Sequence, residues 1–106
     1  MKIKYSKTSR GFDLGTFTDT YGAACSIQKS SLATDDAIWL GIDDPDPRVM
    51  AVIAASHGIQ TSETAGWVPY PVPDDVLITT RMHLSRKLVQ ALIPVLQAFV
   101  DSGEIT

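Results

Sequence analysis

A strand pattern that runs directly into an apolar helix is the feature that most constrains the fold of this chain. Residues 76–85 (VLITTRMHLS) alternate in polarity with the two-residue period of a β-strand that has one buried face. The apolar face carries Val76, Ile78, Thr80, Met82 and Leu84, and the polar face carries Leu77, Thr79, Arg81 and His83. A polar face that holds an arginine and a histidine together is typical of a binding surface.

The segment after this strand has the pattern of an amphipathic helix, with Ser85 as its N-terminal cap and Gly103 as its stop. The apolar side chains that recur every three or four residues are Leu88, Leu92, Val95, Leu96 and Phe99, widened by Val89, Ile93 and Val100. Pro94 inside the segment predicts a kinked helix or, alternatively, two shorter helical pieces. The wide apolar arc predicts a helix that covers a sheet and can also contact a second subunit.

The rest of the chain predicts further strands and one short helix. Residues 1–9 favour a short edge strand, residues 12–21 and 24–31 a hairpin, and residues 37–42 a strand with Trp39 opposite its apolar face. Asp46 and Pro47 suit the start of a short helix that ends at Gly58, and the prolines of residues 66–73 favour an extended edge segment. We therefore expect an α+β fold: an antiparallel sheet of about five strands, with the C-terminal helix packed on one face and a short middle helix.

Size, charge and cysteine content narrow the class of protein. A chain of 106 residues predicts one domain, 1–106. The net charge of −3 argues against a dedicated nucleic-acid binder, which usually carries a clustered positive surface. Cys25 is the only cysteine, so no internal disulfide can form, and neither a signal peptide nor an apolar run of membrane-spanning length is evident. We expect a cytoplasmic protein without membrane contact.

Arg81 and His83 are the first candidates for a functional site. Two residues apart on a strand, they share one face at a spacing of about 7 Å. Arginine offers a planar fork of donors that matches phosphate or carboxylate, and histidine can donate or accept a hydrogen bond. The alternative is that Arg81 pairs with a surface carboxylate such as Asp74 or Asp75, while His83 fills a half-buried position.

Hydroxyl and aromatic side chains could join this pair. The loop at residues 30–36 carries Ser30 and Ser31, which can bind phosphate or sugar oxygens or simply form turns. Trp39 could stack on a base or on an arginine, or pack beneath the helix, and Trp67 could belong to a lid or anchor its own segment. The predicted ligand-binding residues are Arg81, His83, Ser30, Ser31, Trp39, Thr79 and Trp67.

Catalysis has weaker support in the sequence. His57 and His83 with one cysteine lack metal-ligand spacing, and there is no Gly-rich phosphate loop and no nucleophile elbow, so no metal or cofactor is expected. A pair of Cys25 or a serine with His83 could still meet in space and act as nucleophile and base.

Eight short motifs spread over nearly the whole chain resemble a family of small bacteriophage and prophage proteins without an assigned activity. They lie at residues 8–12 (TSRGF), 17–22 (FTDTYG), 25–33 (CSIQKSSLA), 38–41 (IWLG), 66–71 (GWVPYP), 81–84 (RMHL), 92–96 (LIPVL) and 99–103 (FVDSG). The resemblance implies a phage origin and action in the host bacterial cytoplasm. Accessory phage proteins of this size frequently counter host immunity, either as sponges for nucleotide-derived signals or, like anti-CRISPR proteins, by covering a defence complex.

Three functional hypotheses follow. The first is a non-enzymatic protein that sequesters a small phosphate-bearing ligand. The second is a protein-surface inhibitor of a host defence protein, with an acidic rim formed by Asp35, Asp36, Asp43, Asp44 and Asp46. The third is a small hydrolase or transferase that uses His83. In each case the apolar helix and the tryptophans predict a homo-oligomer.

Overall fold

The computed structural model describes residues 2–30 and 34–106 and divides into two compact units. The first unit contains Met1–Asp43 and Thr80–Thr106, and the second contains Asp44–Thr79. The expectation of a single domain stays a prediction, because compactness alone does not tell whether a unit folds independently.

Seven strands, one short 3₁₀ helix and one α-helix make up the regular structure of the described residues. The strands are β1 (Lys4–Lys7), β2 (Asp13–Thr18), β3 (Ala24–Lys29), β4 (Ala37–Ile42), β5 (Arg48–Met50), β6 (Trp67–Pro69) and β7 (Arg81–Ser85). The 3₁₀ helix spans Ala51–His57 and the α-helix, α1, spans Arg86–Ser102. This content confirms the expected α+β class.

The first unit is built on a five-stranded antiparallel sheet in the order β1-β2-β3-β4-β7. The hairpin of β2 and β3 and the strand β4 form where the sequence predicts them. β7 enters the sheet beside β4 although the two strands are separated by the whole second unit. The sheet therefore joins residues from both ends of the chain.

The predicted strand over residues 76–85 is correct only in its second half. β7 begins at Arg81, and its pairing with β4 runs from Ala37 opposite Ser85 to Gly41 opposite Arg81. Residues 76–80 form no strand, because β4 has only Ile42 left beyond that pairing and the chain then leaves the sheet. Arg81 and His83 nevertheless share one face, as the alternation predicts.

Strand alternation and register give this sheet two unlike faces. The polar face carries Ser26 and Gln28 on β3, Trp39 and Gly41 on β4, and Arg81 and His83 on β7. The apolar face carries Cys25, Ile27, Ile38, Leu40, Ile42, Met82 and Leu84. The polar face thus brings together side chains that lie up to 57 positions apart in the sequence (Ser26 and His83).

α1 follows β7 without an intervening residue. The Ser85 hydroxyl accepts a hydrogen bond from the Leu88 amide at 3.2 Å, and Gly103 ends the helix in a left-handed conformation, both as predicted. Pro94 lies inside one continuous helix, so the alternative of two helical pieces is wrong. Within the described residues, no helix is both long and apolar enough to cross a bilayer.

α1 contacts the sheet over a limited part of its length. All 17 residues of α1 are described, and none of them is buried. The helix has its main contacts with β7, the strand from which it emerges. Its first turns approach the sheet, whereas most of its apolar side chains are exposed.

The second unit has a small core of its own. β5 and β6 pair antiparallel with Val49 opposite Val68, and these two valines pack with Ala51 and Ala54. The predicted middle helix is therefore wrong in its start: residues 48–50 are strand, and the helix is 3₁₀, with Met50 rather than Asp46 at its N-terminus. Burial of Val49 against Val68 outweighs the local capping preference of Asp46 and Pro47.

Candidate functional site

Arg81 is held on the polar face by neutral partners. Its Nη1 donates a hydrogen bond to Oε1 of Gln28 at 3.0 Å and makes a long contact of 3.5 Å to the hydroxyl of Ser26. Both contacts use the Nη1 atom. The Nε and Nη2 donors make no hydrogen bond to the described residues, so they are available to a ligand.

Trp39 connects Arg81 with His83. The guanidinium carbon of Arg81 lies 5.7 Å from the centroid of the indole, within cation–π distance. The imidazole of His83, directly opposite Trp39 in the sheet, lies 4.2 Å away between ring centroids with an interplanar angle of 30°. Indole, imidazole and guanidinium therefore form one continuous π surface.

Ser30 fixes the orientation of the His83 ring. Its hydroxyl lies 3.0 Å from Nε2 of His83, and the residue is only 4% exposed. The Ser30 amide donates to the carbonyl of Ala37, which holds this residue at the end of β3. A hydroxyl held in this way restricts the imidazole to one orientation beside the indole.

Gly41 allows β7 to approach β4 closely at Arg81. Its φ is +155°, and a Cβ at this position would lie 2.6 Å from the carbonyl oxygen of Thr80 and 2.9 Å from Cα of Arg81. Contacts this short force a shift of the backbone. The absence of a side chain at Gly41 is therefore part of what positions Arg81.

No carboxylate of the first unit forms an ion pair with Arg81 among the described residues, which are 2–30, 34–43 and 80–106. The nearest link to a carboxylate runs through Ser26, whose hydroxyl donates to Oδ1 of Asp43 at 2.6 Å. A partly buried guanidinium with neutral partners favours a bound anion, because an anion supplies the compensating charge.

The structure brings together four of the seven predicted ligand-binding residues: Ser30, Trp39, Arg81 and His83. Ser31 lies outside the described residues. Trp67 and Thr79 belong to the second unit. Trp67 lies on β6 with 63% of its surface exposed, and Thr79 lies outside the helices and strands. The cluster of four, with Gln28 and Ser26, is called the Arg81 cluster below.

Sequence reasoning missed the roles of Ser26, Gln28 and Gly41. The alternation of β3 already places Ser26 and Gln28 on one side and Cys25 and Ile27 on the other. The strand order, in which β4 lies between β3 and β7, cannot be read from this alternation. The length of the Arg81 side chain then spans β4 at the position where Gly41 has no side chain.

A cavity of about 650 Å³ adjoins the Arg81 cluster at His83. Its other walls come from residues 34–37 and from the start of α1 at Ser85, Arg86, Lys87 and Leu88. Asp36 on its rim pairs with Lys29 at 2.7 Å and with Arg86 at 3.8 Å. The hydrogen bond and positive charge of Lys29, aided by Arg86, lower the pKa of the Asp36 carboxyl from its ordinary value of 3.8.

The predicted acidic rim is divided between the two units. Asp35, Asp36 and Asp43 belong to the first unit, and Asp44 and Asp46 belong to the second. Asp36, Asp43 and Asp46 already have partners in Lys29, Ser26 and Arg48 respectively. Among the described residues, no three histidine, cysteine or carboxylate side chains are grouped as metal ligands would be.

Comparison with known proteins adds no relative: no family model, no curated protein and no solved structure matches this chain. The resemblance to small phage proteins therefore stays a prediction from the motifs.

Proposed function

We propose that this chain is a non-enzymatic binding protein for a small phosphate-bearing, nucleotide-derived ligand. In the phage setting that the motifs imply, it would counter host immunity by sequestering such a signal. The observation that carries the proposal is Arg81, a guanidinium stacked on Trp39 and held by Gln28 without a direct carboxylate partner among the described residues of its unit.

The guanidinium accounts for the phosphate part of the ligand. Gln28 and Trp39 restrict the Arg81 side chain before a ligand arrives, so little rotamer freedom is lost on binding. Its remaining donors can form the paired hydrogen bonds that phosphate oxygens accept. A hydrogen bond to a charged group contributes about 1.5–3 kcal/mol.

The aromatic pair accounts for the nucleoside part. Base stacking on an aromatic side chain contributes roughly 1–3 kcal/mol per base and tolerates different bases. His83 is exposed, and it lies against Trp39 in an orientation that Ser30 fixes. A rigid aromatic surface next to an anion-binding guanidinium matches the two chemical parts of a nucleotide.

A second candidate function rests on the distance between Ser30 and His83. At 3.0 Å the hydroxyl and the imidazole have the separation of a nucleophile and its base. Ser30 is only 4% exposed, however, and a nucleophile has to reach the substrate. Binding without chemistry is therefore the better-supported proposal, and hydrolysis is the outcome that would replace it.

Isothermal titration against cyclic dinucleotides and ADP-ribose derivatives tests the proposal. The wild-type protein should bind at least one of them, and Arg81→Ala should weaken that binding by roughly 10- to 100-fold, the equivalent of one charge-assisted hydrogen bond. Arg10→Ala is the matched control, because Arg10 also lies over an aromatic ring, that of Phe12, at 5.9 Å.

Three outcomes would contradict the proposal. A wild-type protein that binds none of these ligands removes it, and so does an Arg81→Ala variant that binds as tightly as wild type. Ligand recovered in hydrolysed form after incubation would favour the Ser30 and His83 reaction instead. Circular dichroism of Arg81→Ala confirms that any loss of binding occurs in a folded protein.

A further inference from the structure

The apolar face of the five-stranded sheet is incompletely covered by its own chain. Of its side chains, Cys25 and Leu84 are buried, Ile27, Ile38, Leu40 and Ile42 are half-buried, and Met82 is 55% exposed. A sheet with one apolar face is stable when that face packs against another layer. In the first unit, α1 is the element with the chemistry to supply this layer.

α1 leaves its own apolar stripe exposed as well. Its large apolar side chains that are between 37% and 76% exposed are Leu88, Leu92, Ile93, Val95, Leu96, Phe99 and Val100. Together they present apolar surface on the order of several hundred Å², which approaches the roughly 800 Å² that one partner contributes to a standard interface. A patch of this size marks an interaction surface.

An apolar groove separates the first turns of α1 from the sheet. Ile38 and Leu84 line it on the sheet side, Val89 and Ile93 line it on the helix side, and its volume is about 460 Å³. Lys29, Asp36 and Arg86 lie on its rim, where they pair with one another. An apolar centre with a rim of paired charges is the usual anatomy of a protein interface.

We infer that a second copy of this chain docks at this groove, with α1 of each copy packed against the apolar sheet face of the other. Each chain carries both halves of the interface, an uncovered sheet face and an uncovered helix stripe. In a two-fold dimer, the helix stripe of each chain packs against the sheet face of the other. Both surfaces that are exposed in one chain are then covered in the dimer.

A second copy fits this surface better than a different protein does. Among the described residues of the first unit, the buried apolar side chains are Cys25, Ala37 and Leu84, a small number for five strands and a helix. The unit therefore needs its partner in order to fold stably, and a partner needed for folding must be present wherever the chain is made. A second copy always meets that condition.

The mass of the wild-type protein in solution gives the first test. Light scattering coupled to size exclusion at micromolar concentration should give at least twice the 11.5 kDa of one chain. A folded wild-type protein with the mass of one chain would overturn the inference, and would leave the helix stripe as a surface for some other partner. Neither result depends on ligand binding at Arg81.

A charge placed in the centre of the helix stripe gives the second test. Leu96→Glu should weaken association by roughly 30-fold or more, as loss of a central interface residue does. Lys87→Glu places the same side chain on the opposite side of α1, where the neighbouring positions on the helix are Gln90 and Ala91, and should keep the wild-type mass. Equal masses and equal stabilities for the two variants would exclude the stripe from the interface.

A third measurement holds even if Leu96→Glu fails to fold. In a sample that mixes isotope-labelled and unlabelled wild-type chains, intermolecular nuclear Overhauser effects should connect methyl groups of Leu96 and Val100 with those of Ile38 and Leu40. Effects only between the helices of the two copies would overturn the helix-on-sheet arrangement. The absence of any intermolecular effect would overturn the inference altogether.

Discussion

The smaller of the two compact units is better packed than the larger one. Within residues 44–79, Val49, Ala51, Ala54 and Val68 form a buried cluster, and Ala54 has no exposed surface. The described part of the first unit is about twice as long, yet its buried apolar side chains do not form such a cluster. A short segment thus completes its core from local pairing, whereas the large sheet and its helix do not.

The two units obtain their stability from different sources. The second unit gains burial from β5, β6 and the 3₁₀ helix between them, all within 36 residues. The first unit has the strand ladder and the hydrogen bonds of the Arg81 cluster on one face, but its other face lacks a complete covering layer. Its stability should therefore depend on association, and that of the second unit should not.

The largest expected difference between the two units is in how their stability depends on protein concentration. Trp39 reports on the first unit and Trp67 on the second, so Trp67→Phe and Trp39→Phe variants each leave one fluorescent probe. For the Trp39 probe, a 100-fold dilution should lower the free energy of unfolding by about 2.7 kcal/mol, because a bound partner stabilises by mass action. For the Trp67 probe, the midpoint of denaturation should stay unchanged.

Two results would contradict this difference between the units. Equal shifts of both probes on dilution would mean that the units unfold as one cooperative structure. The absence of a shift in either probe would mean that the first unit is stable without a second copy.

Gly41→Ala should disturb the first unit alone and damage the Arg81 cluster. The added Cβ meets the backbone of Thr80 and Arg81 at 2.6 and 2.9 Å, and a residue with a side chain is strained at a φ of +155°. Backbone strain of this kind costs about 1–3 kcal/mol, which denaturant unfolding of the Trp39 probe would measure. Ligand binding by Arg81 should fall in parallel.

Gly22→Ala provides the control for the close approach. Gly22 also has a positive φ, of 86°, but a Cβ added there would have no atom within 4 Å, so this variant adds strain without a collision. If Gly22→Ala impaired ligand binding as much as Gly41→Ala, the role assigned to Gly41 in positioning Arg81 would be wrong.

Asp36→Asn should have the smallest effect, and one that depends on pH. Lys29 lowers the pKa of Asp36 in the folded protein, so the stabilisation by this pair is present above pH 3.8 and is lost as the pH falls through the folded-state value. Wild type should therefore exceed Asp36→Asn slightly in stability at pH 7 and match it in strong acid. The difference is small because the Asp36 side chain is 63% exposed.

The Lys29→Gln background tests the origin of that effect. Without the Lys29 ammonium group, Asp36→Asn should change the pH dependence of unfolding much less. An unchanged effect would assign the stabilisation to Arg86 at 3.8 Å instead.

Local patterns in the sequence were sufficient to predict the strands of the sheet and the ends of α1. Alternation placed Arg81 and His83 on one face, and the cap at Ser85 and the stop at Gly103 follow from the chemistry of those residues. Trp39 and Ser30 both contact His83, whereas a ligand-binding role for these residues stays a prediction.

The errors all concern interactions between distant segments. Asp46 and Pro47 have the local pattern of a helix start, but the pairing of Val49 with Val68 draws residues 48–50 into a strand. Likewise, residues 76–80 alternate as a strand does, but β4 offers only Ile42 beyond Gly41, which is too little for five more paired residues. Neither strand order nor the exposure of α1 can be read from a local period.

The direct junction of β7 and α1 has a practical consequence for engineering this protein. Ser85 is the last residue of the strand and also the cap of the helix, so no connecting loop lies between His83 and the apolar stripe. A fluorescent tag or a new chain terminus inserted there would break the cap and release the helix from the sheet. The turn between β2 and β3, where Tyr21 is 96% exposed and Gly22 has open space, is the better insertion site.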